Sequence, residues 1–208
     1  MNNPLYAPLV GPVGHVVDMA KMLTFRYSNP HSYTKYRQIV AVARRTGARV
    51  LVETGTFRGV TTRRCLRHFS RVYTIELDHH LAQEAKTRLA RFGNCEVIEG
   101  DASQEVKALL ERPDVGSDIL LFLDGHFSGS GTAIGEQAEP ALDVIEVIAR
   151  HKSRVAAIII DDFREFGTQT GWPAKSELLR AIETSFPQRD FQLMIHLDQV
   201  LVMRRLHR

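Results

Sequence analysis

Long apolar runs are absent from this 208-residue chain. None approaches the ~18 residues that span a bilayer, so no membrane segment is expected. The opening Met1-Asn2-Asn3-Pro4-Leu5-Tyr6-Ala7-Pro8 has neither a basic n-region nor a long apolar h-region, so no secretory signal is expected. Cysteine is scarce: Cys65 and Cys95 are the two in the chain, and their spacing matches no metal motif. They read as reduced, half-buried thiols in a cytoplasmic protein. A strong charge of one sign is also missing. The 27 basic and 24 acidic residues leave a net charge of +3. Arg44, Arg45 and Arg49 cluster, as do Arg63, Arg64, Arg67 and Arg71, and solvated helix faces account for them first. A patch for an acidic substrate comes second. Aromatic residues are not interleaved with these arginines, which disfavours a nucleic-acid partner.

What is present is alternation. From Arg49 onward, short apolar runs at 49–53, 71–76, 95–98, 118–123 and 155–160 read as strands. Between and beyond them, 59–69, 79–92, 103–111, 137–150 and 174–185 carry helical patterns. That order predicts βαβ units and a parallel, doubly wound α/β sheet. The end differs. Phe191–His196 and Gln199–Arg204 are separated by Leu197-Asp198 alone, so they must form an antiparallel hairpin. Before residue 48, an arm with Pro4, Pro8, Pro12 and Pro30 is expected to be irregular, with one short helix around Val16–Leu23. A helix capped by Ser32 should run to about Arg45 and close at Thr46-Gly47. The chain thus divides into an arm and helix over 1–47 and an α/β domain over 48–208. The arm has the length to cover an acceptor site or to swap within a homo-oligomer.

The strand Val50-Leu51-Val52-Glu53 runs into the turn Thr54-Gly55-Thr56-Phe57-Arg58-Gly59, and the next strand ends Tyr73-Thr74-Ile75-Glu76. A glycine turn at a helix start, followed by an acid at the second strand's end, is the layout of a nucleoside-binding crevice. A dinucleotide site needs G-x-G-x-x-G, because the pyrophosphate must lie against a residue without a side chain. Phe57 stands at that middle position. S-adenosylmethionine has no phosphate and tolerates a benzyl group there. The E-x-G-x-x-x-G pattern of Glu53, Gly55 and Gly59 resembles the first motif of class I methyltransferases, whose seven-stranded Rossmann-like sheet also ends in an antiparallel hairpin. The resemblance spans about residues 48–205. It implies that Glu76 binds the ribose hydroxyls. Asp101, Ala102 and Ser103 would meet the adenine, and Glu53 would stand near the methionine amino group. The implied cofactor set also includes Gly55, Thr56, Phe57, Gly59, Thr61, Leu77 and Asp124. Each acid has a plainer role open to it, and Asp101 in particular can simply cap the next helix.

The fourth predicted strand leads into Asp124-Gly125-His126-Phe127-Ser128-Gly129, and the fifth into Asp161-Asp162-Phe163. Neighbouring strands would bring these acids together, and paired carboxylates repel unless something neutralises them. A divalent ion, an arginine such as Arg164, or a shared proton would serve. An Asp after strand four with Asp-Asp after strand five is similar to the macrocin and novobiocin-type sugar O-methyltransferases. On that resemblance Asp124, Asp161 and Asp162 would hold Mg²⁺, and the metal would lower the pKa of a substrate hydroxyl. The Asp-Gly-His-Phe-Ser-Gly loop departs from that family's wording. It looks more like an uncharacterised, glycan-associated branch of class I methyltransferases. His126 is then the alternative general base, and Asp124 and Asp161 complete the expected catalytic group. The glycines of 125–136 suit a lid over the substrate. Trp172 would form an acceptor wall, pack in the core or anchor a loop. The expected function is O-methylation of a small hydroxylated acceptor, such as a sugar or glycosylated natural product. Metal-independent methylation or non-catalytic cofactor binding remain the alternatives.

Overall fold

The computed structural model describes residues 7–23, 31–124, 141–168 and 172–206, with backbone alone for 7–10. Helices α1 (Ala7–Leu23) and α2 (Ser32–Thr46) come first. The sheet follows as β1 (Val50–Thr54), α3 (Val60–Cys65), β2 (Arg71–Glu76), α4 (His79–Leu89), β3 (Cys95–Glu99) and α5 (Ala102–Glu111). Then come β4 (Ile119–Leu123), α6 (Ala141–Arg150), β5 (Val155–Ile160), α7 (Lys175–Ser185), β6 (Phe191–His196) and β7 (Gln199–Arg204). The strands form one seven-stranded sheet in the order β3-β2-β1-β4-β5-β7-β6. The first five are parallel, and β7 runs antiparallel to both β5 and β6. This is the Rossmann-like architecture expected from the alternation.

Every residue of β1, β4 and β5 is buried. Helices cover both faces of these strands, which is why their sequences are unbroken apolar runs. Side chains still alternate between the faces. Val52, Tyr73, Leu121 and Ile158 join one core with residues of α5, α6 and α7. Leu51, Val72, Leu120 and Ile159 join the other with Ile39, Val40, Val42 and Ala43 of α2 and Ala85 and Leu89 of α4. Helix α2 is therefore a packed layer of the sheet, and its first turn brings Ser32 and Lys35 to the cleft at the strand ends.

The N-terminal segment departs from expectation. Instead of an irregular arm, α1 runs unbroken from Ala7 with Pro12 inside it. Pro8 lies in the first turn, where its missing amide would have had no intrahelical partner. Pro12 does remove one helical bond. A buried tie helps to hold α1 in place. Asp18, only 2% exposed, accepts from Thr34 Oγ1 (2.5 Å) and from the His31 amide (2.9 Å), and pairs with His31 Nδ1 (2.6 Å). The same tie explains why Ser32 is not the cap of α2. His31 takes the cap position without a side-chain cap bond, and the Ser32 hydroxyl instead accepts from Arg64 at 3.0 Å.

The β6–β7 turn is the two-residue connection that the sequence required. Leu197 and Asp198 both have positive φ (53° and 64°), the geometry that matches strand twist in a tight hairpin. Among the described residues no helix is long and apolar enough to cross a membrane.

Candidate functional site

Strand order reverses between β1 and β4, and in such sheets ligands bind at the carboxyl ends beside that point. A cleft of about 280 Å³ opens there, lined by residues including Lys35, Glu53, Gly55, Phe57, Thr61 and Asp124. Ser32, Thr56, Arg58 and Val60 complete its walls. A larger, open hollow near Glu111, His151 and Arg154 lies by the amino ends of β4 and β5, away from these groups.

The glycine turn has the conformation its sequence implied. Gly55 and Gly59 sit at φ 78° and 65°, where a side chain is disfavoured. A Cβ on Gly59 would meet Leu89 only at ordinary contact distance (3.4 Å), so the constraint there is the backbone conformation. Phe57 is strained in the same region (φ 47°) and is 58% exposed. Phe57 thus joins backbone strain to exposed apolar surface at the wall of the cleft. Leu77, at the end of β2, is likewise exposed.

Glu76 is nearly buried. Its Oε2 accepts from the Phe57 amide (2.7 Å) and its Oε1 from the Asp78 amide (3.1 Å). The carboxylate thus fixes the glycine turn, and each oxygen keeps lone pairs for further donors. Glu53 turns inward. Its Oε2 accepts from Thr62 (2.5 Å) and Thr74 (2.9 Å). Burial raises its pKa to about 7; the two threonine bonds oppose the rise and nearby Asp124 adds to it. Asp101 fulfils the plainer role, capping α5 by accepting from the Ser103 (2.9 Å) and Gln104 (3.4 Å) amides. With Ala102 and Ser103 it stands at the β3 end of the sheet.

Asp124, Asp161 and Asp162 converge as expected from neighbouring strands, with one oxygen of each lying within 4.8 Å of the others. The register explains part of this. Asp161 follows the Ile160–Val200 pair and meets Gln199, whose Nε2 donates to Asp161 Oδ1 at 3.0 Å. Asp124 is anchored through its amide, which donates to Thr54 Oγ1 at 3.1 Å. Asp162 adopts φ 52° and accepts from Arg164 Nη1 at 2.8 Å. Arg164 also bonds Asp198 and Glu165.

The sequence reasoning missed the cation at the centre. Lys35 Nζ donates to Asp124 Oδ1 at 3.1 Å and pairs with Asp161 Oδ2. Burial works to lower the lysine's pKa, but attraction to Asp161 and Asp124 outweighs it, so the ammonium is held cationic. Asp161 is raised above the usual carboxylate range, first by burial and then by Asp124 and Asp162, with Lys35 opposing. A signal for Lys35 was available. It precedes Ile39 and Val42 by four and seven residues, so a lysine stands on the stripe of α2 that faces the sheet. Gln199, fully buried beside Asp161, was also missed. Trp172 packs edge-on against buried Phe166 (5.1 Å between centroids) and so against the core, a packing role. His126 and the glycines of 125–136 lie outside the described residues.

No protein-family model matches the chain, and no curated protein matches it. Many solved structures do match in fold. One is the O-methyltransferase TomG from Streptomyces achromogenes, of tomaymycin synthesis, solved with S-adenosylmethionine. It has TM-score 0.58 and 18% identity, over 93% of this chain and 98% of that one. An O-methyltransferase from Bacillus cereus, solved with S-adenosylhomocysteine, has TM-score 0.56 and 16% identity, over 94% and 90% of the two chains. An rRNA methylase from Streptococcus thermophilus has TM-score 0.51 and 15% identity, over 84% and 96%. At these identities the likeness is one of fold: the chain has the Rossmann-like fold of these methyltransferases.

Proposed function

We propose that this chain is an S-adenosylmethionine-dependent methyltransferase that methylates a hydroxyl oxygen of a small acceptor, of the sugar or glycosylated natural-product class. The observation that carries the reading is the crevice beside β1. A left-handed glycine turn is braced by Glu76 on one side, and Asp124 faces the cleft on the other. Glu76 retains acceptor capacity for two ribose hydroxyls. Phe57 and Leu77 offer exposed apolar surface for the adenine, and Asp101–Ser103 stand at the next strand end. Asp124, at the wall of the cleft beside Gly55, would face the reacting end of the cofactor.

In the transfer, the acceptor oxygen attacks the methyl carbon in line. The O–C bond forms as the C–S bond breaks, and sulfur keeps the electron pair as a neutral thioether. The hydroxyl proton passes to Asp124, the one acid of the cluster whose side chain is substantially open to the cleft (32% exposed, against 0% for Asp161). General-base help of this kind contributes roughly 10²–10⁴ in rate. Holding the two partners in register contributes more. Mg²⁺ would be offered hard oxygen donors by Asp124, Asp161 and Asp162. Lys35 already bonds two of those three carboxylates, so the set as it stands does not fit the ion, and no step is routed through it.

The test is methyl transfer from methyl-labelled S-adenosylmethionine to a panel of small polyols, glycosides and phenols, with RNA as a separate arm. Label in a small hydroxylated acceptor supports the reading. Label in RNA alone contradicts it.

A further inference from the structure

We infer that the Lys35 ammonium takes the place of a divalent cation in the Asp124–Asp161–Asp162 cluster, so that the cluster is complete without metal. The role of the cluster in methyl transfer rests on the function proposed above; the assignment of its cation does not.

The position of the ammonium carries the inference. Nζ bonds Asp124 and Asp161 at once, two of the three carboxylates that lie within 4.8 Å of one another and that a divalent ion would have to share. The lysine is built in, not a surface side chain that has fallen into a cleft. Its helix is locked to the sheet through Tyr36, Ile39 and Val40, and its side chain is only 11% exposed. The neighbours are committed too. The second oxygen of Asp161 accepts from buried Gln199, and Asp162 is paired with Arg164. A metal entering this site would have to displace the ammonium or sit a few ångströms from it. At that range the repulsion between a dication and an ammonium amounts to several kcal/mol even when well screened. The ammonium supplies what the cluster requires, a positive charge that keeps neighbouring carboxylates from repelling one another. Lys35 thereby acts as a positioning residue, holding Asp124 in place at the wall of the cleft.

The experiment is a Mn²⁺ titration followed by electron paramagnetic resonance, on metal-free wild type, Lys35→Met and Asp124→Asn. Wild type should bind Mn²⁺ no more tightly than Asp124→Asn. Lys35→Met, which bares the carboxylates, should bind at least about a hundredfold more tightly than wild type. Wild-type binding that is lost in Asp124→Asn would overturn the inference, and this comparison needs no lysine variant to fold. A folded Lys35→Met that gains no affinity would overturn it as well, because the lysine would then not be what excludes the ion. S-adenosylhomocysteine binding, measured in parallel in EDTA, keeps the two readings apart. Its absence would remove the methyltransferase reading and leave the cation assignment to the Mn²⁺ result.

Discussion

Replacing Glu53 by glutamine changes one ionisable group in the floor of the cleft while keeping an oxygen that can accept from Thr62 and Thr74. Burial raises the Glu53 pKa from 4.5 to about 7 in the folded chain, so the folded state binds the proton more tightly than the unfolded one. Stability contributed by this group is therefore full at low pH. It falls as pH rises from about 4.5 to about 7, and then levels off. At about 1.4 kcal/mol per pKa unit, and with the unfolded chain already partly ionised at pH 5, the loss between pH 5 and pH 8 is about 2.5 kcal/mol. Asp161 is raised as well, but it titrates in both proteins and largely cancels in the difference. Urea unfolding followed by circular dichroism at the two pH values gives that difference. Glu53→Gln should gain about 2.5 kcal/mol on wild type between pH 5 and pH 8. Parallel curves, within about 0.5 kcal/mol, would refute the claim that Glu53 is buried and carries its proton near neutrality.

Other positions give sharper functional outcomes. Glu76→Ala should weaken S-adenosylhomocysteine binding by about 1–3 kcal/mol, read by calorimetry; unchanged affinity would remove Glu76 from the cofactor site. Asp124→Asn should cut kcat by roughly 10²–10⁴ while a cofactor titration stays nearly constant. If His126→Ala instead carries that loss and Asp124→Asn is active, the base is the histidine. Gly55→Ala forces a side chain into a left-handed residue and should cost about 1–2 kcal/mol of stability, visible as a lowered Tm; an unchanged Tm would contradict the φ of 78°.

The sheet was legible in the sequence because its signals are local. The apolar run Ile119-Leu120-Leu121-Phe122-Leu123 and the two-residue Leu197-Asp198 link each point to one arrangement. The convergence of Asp124 with Asp161 and Asp162 followed from strands four and five being adjacent. Two things were not legible. The prolines of 7–12 hid a helix, because propensity counts Pro8 and Pro12 as breakers while position and the Asp18 tie decide the outcome. The spacing of Lys35 to Ile39 and Val42 places it on the sheet-facing stripe of α2, but not its partners: even Asp124 lies 89 residues away in the chain, so no local pattern joins the lysine to the acids. The sequence around the acids offers a metal, Arg164 or a shared proton as neutraliser, whereas that of Asp161 arrives from a helix that precedes the sheet. Arg164 does serve, but for Asp162.

The central claim is that the crevice beside β1 holds the nucleoside of a sulfonium cofactor. The most direct measurement is calorimetric titration of the purified chain with S-adenosylhomocysteine, repeated with NADH as the phosphate-bearing alternative. The account predicts saturable binding of S-adenosylhomocysteine at micromolar concentrations and none of NADH, whose pyrophosphate would meet Phe57. Binding of NADH, or of neither ligand, would contradict it.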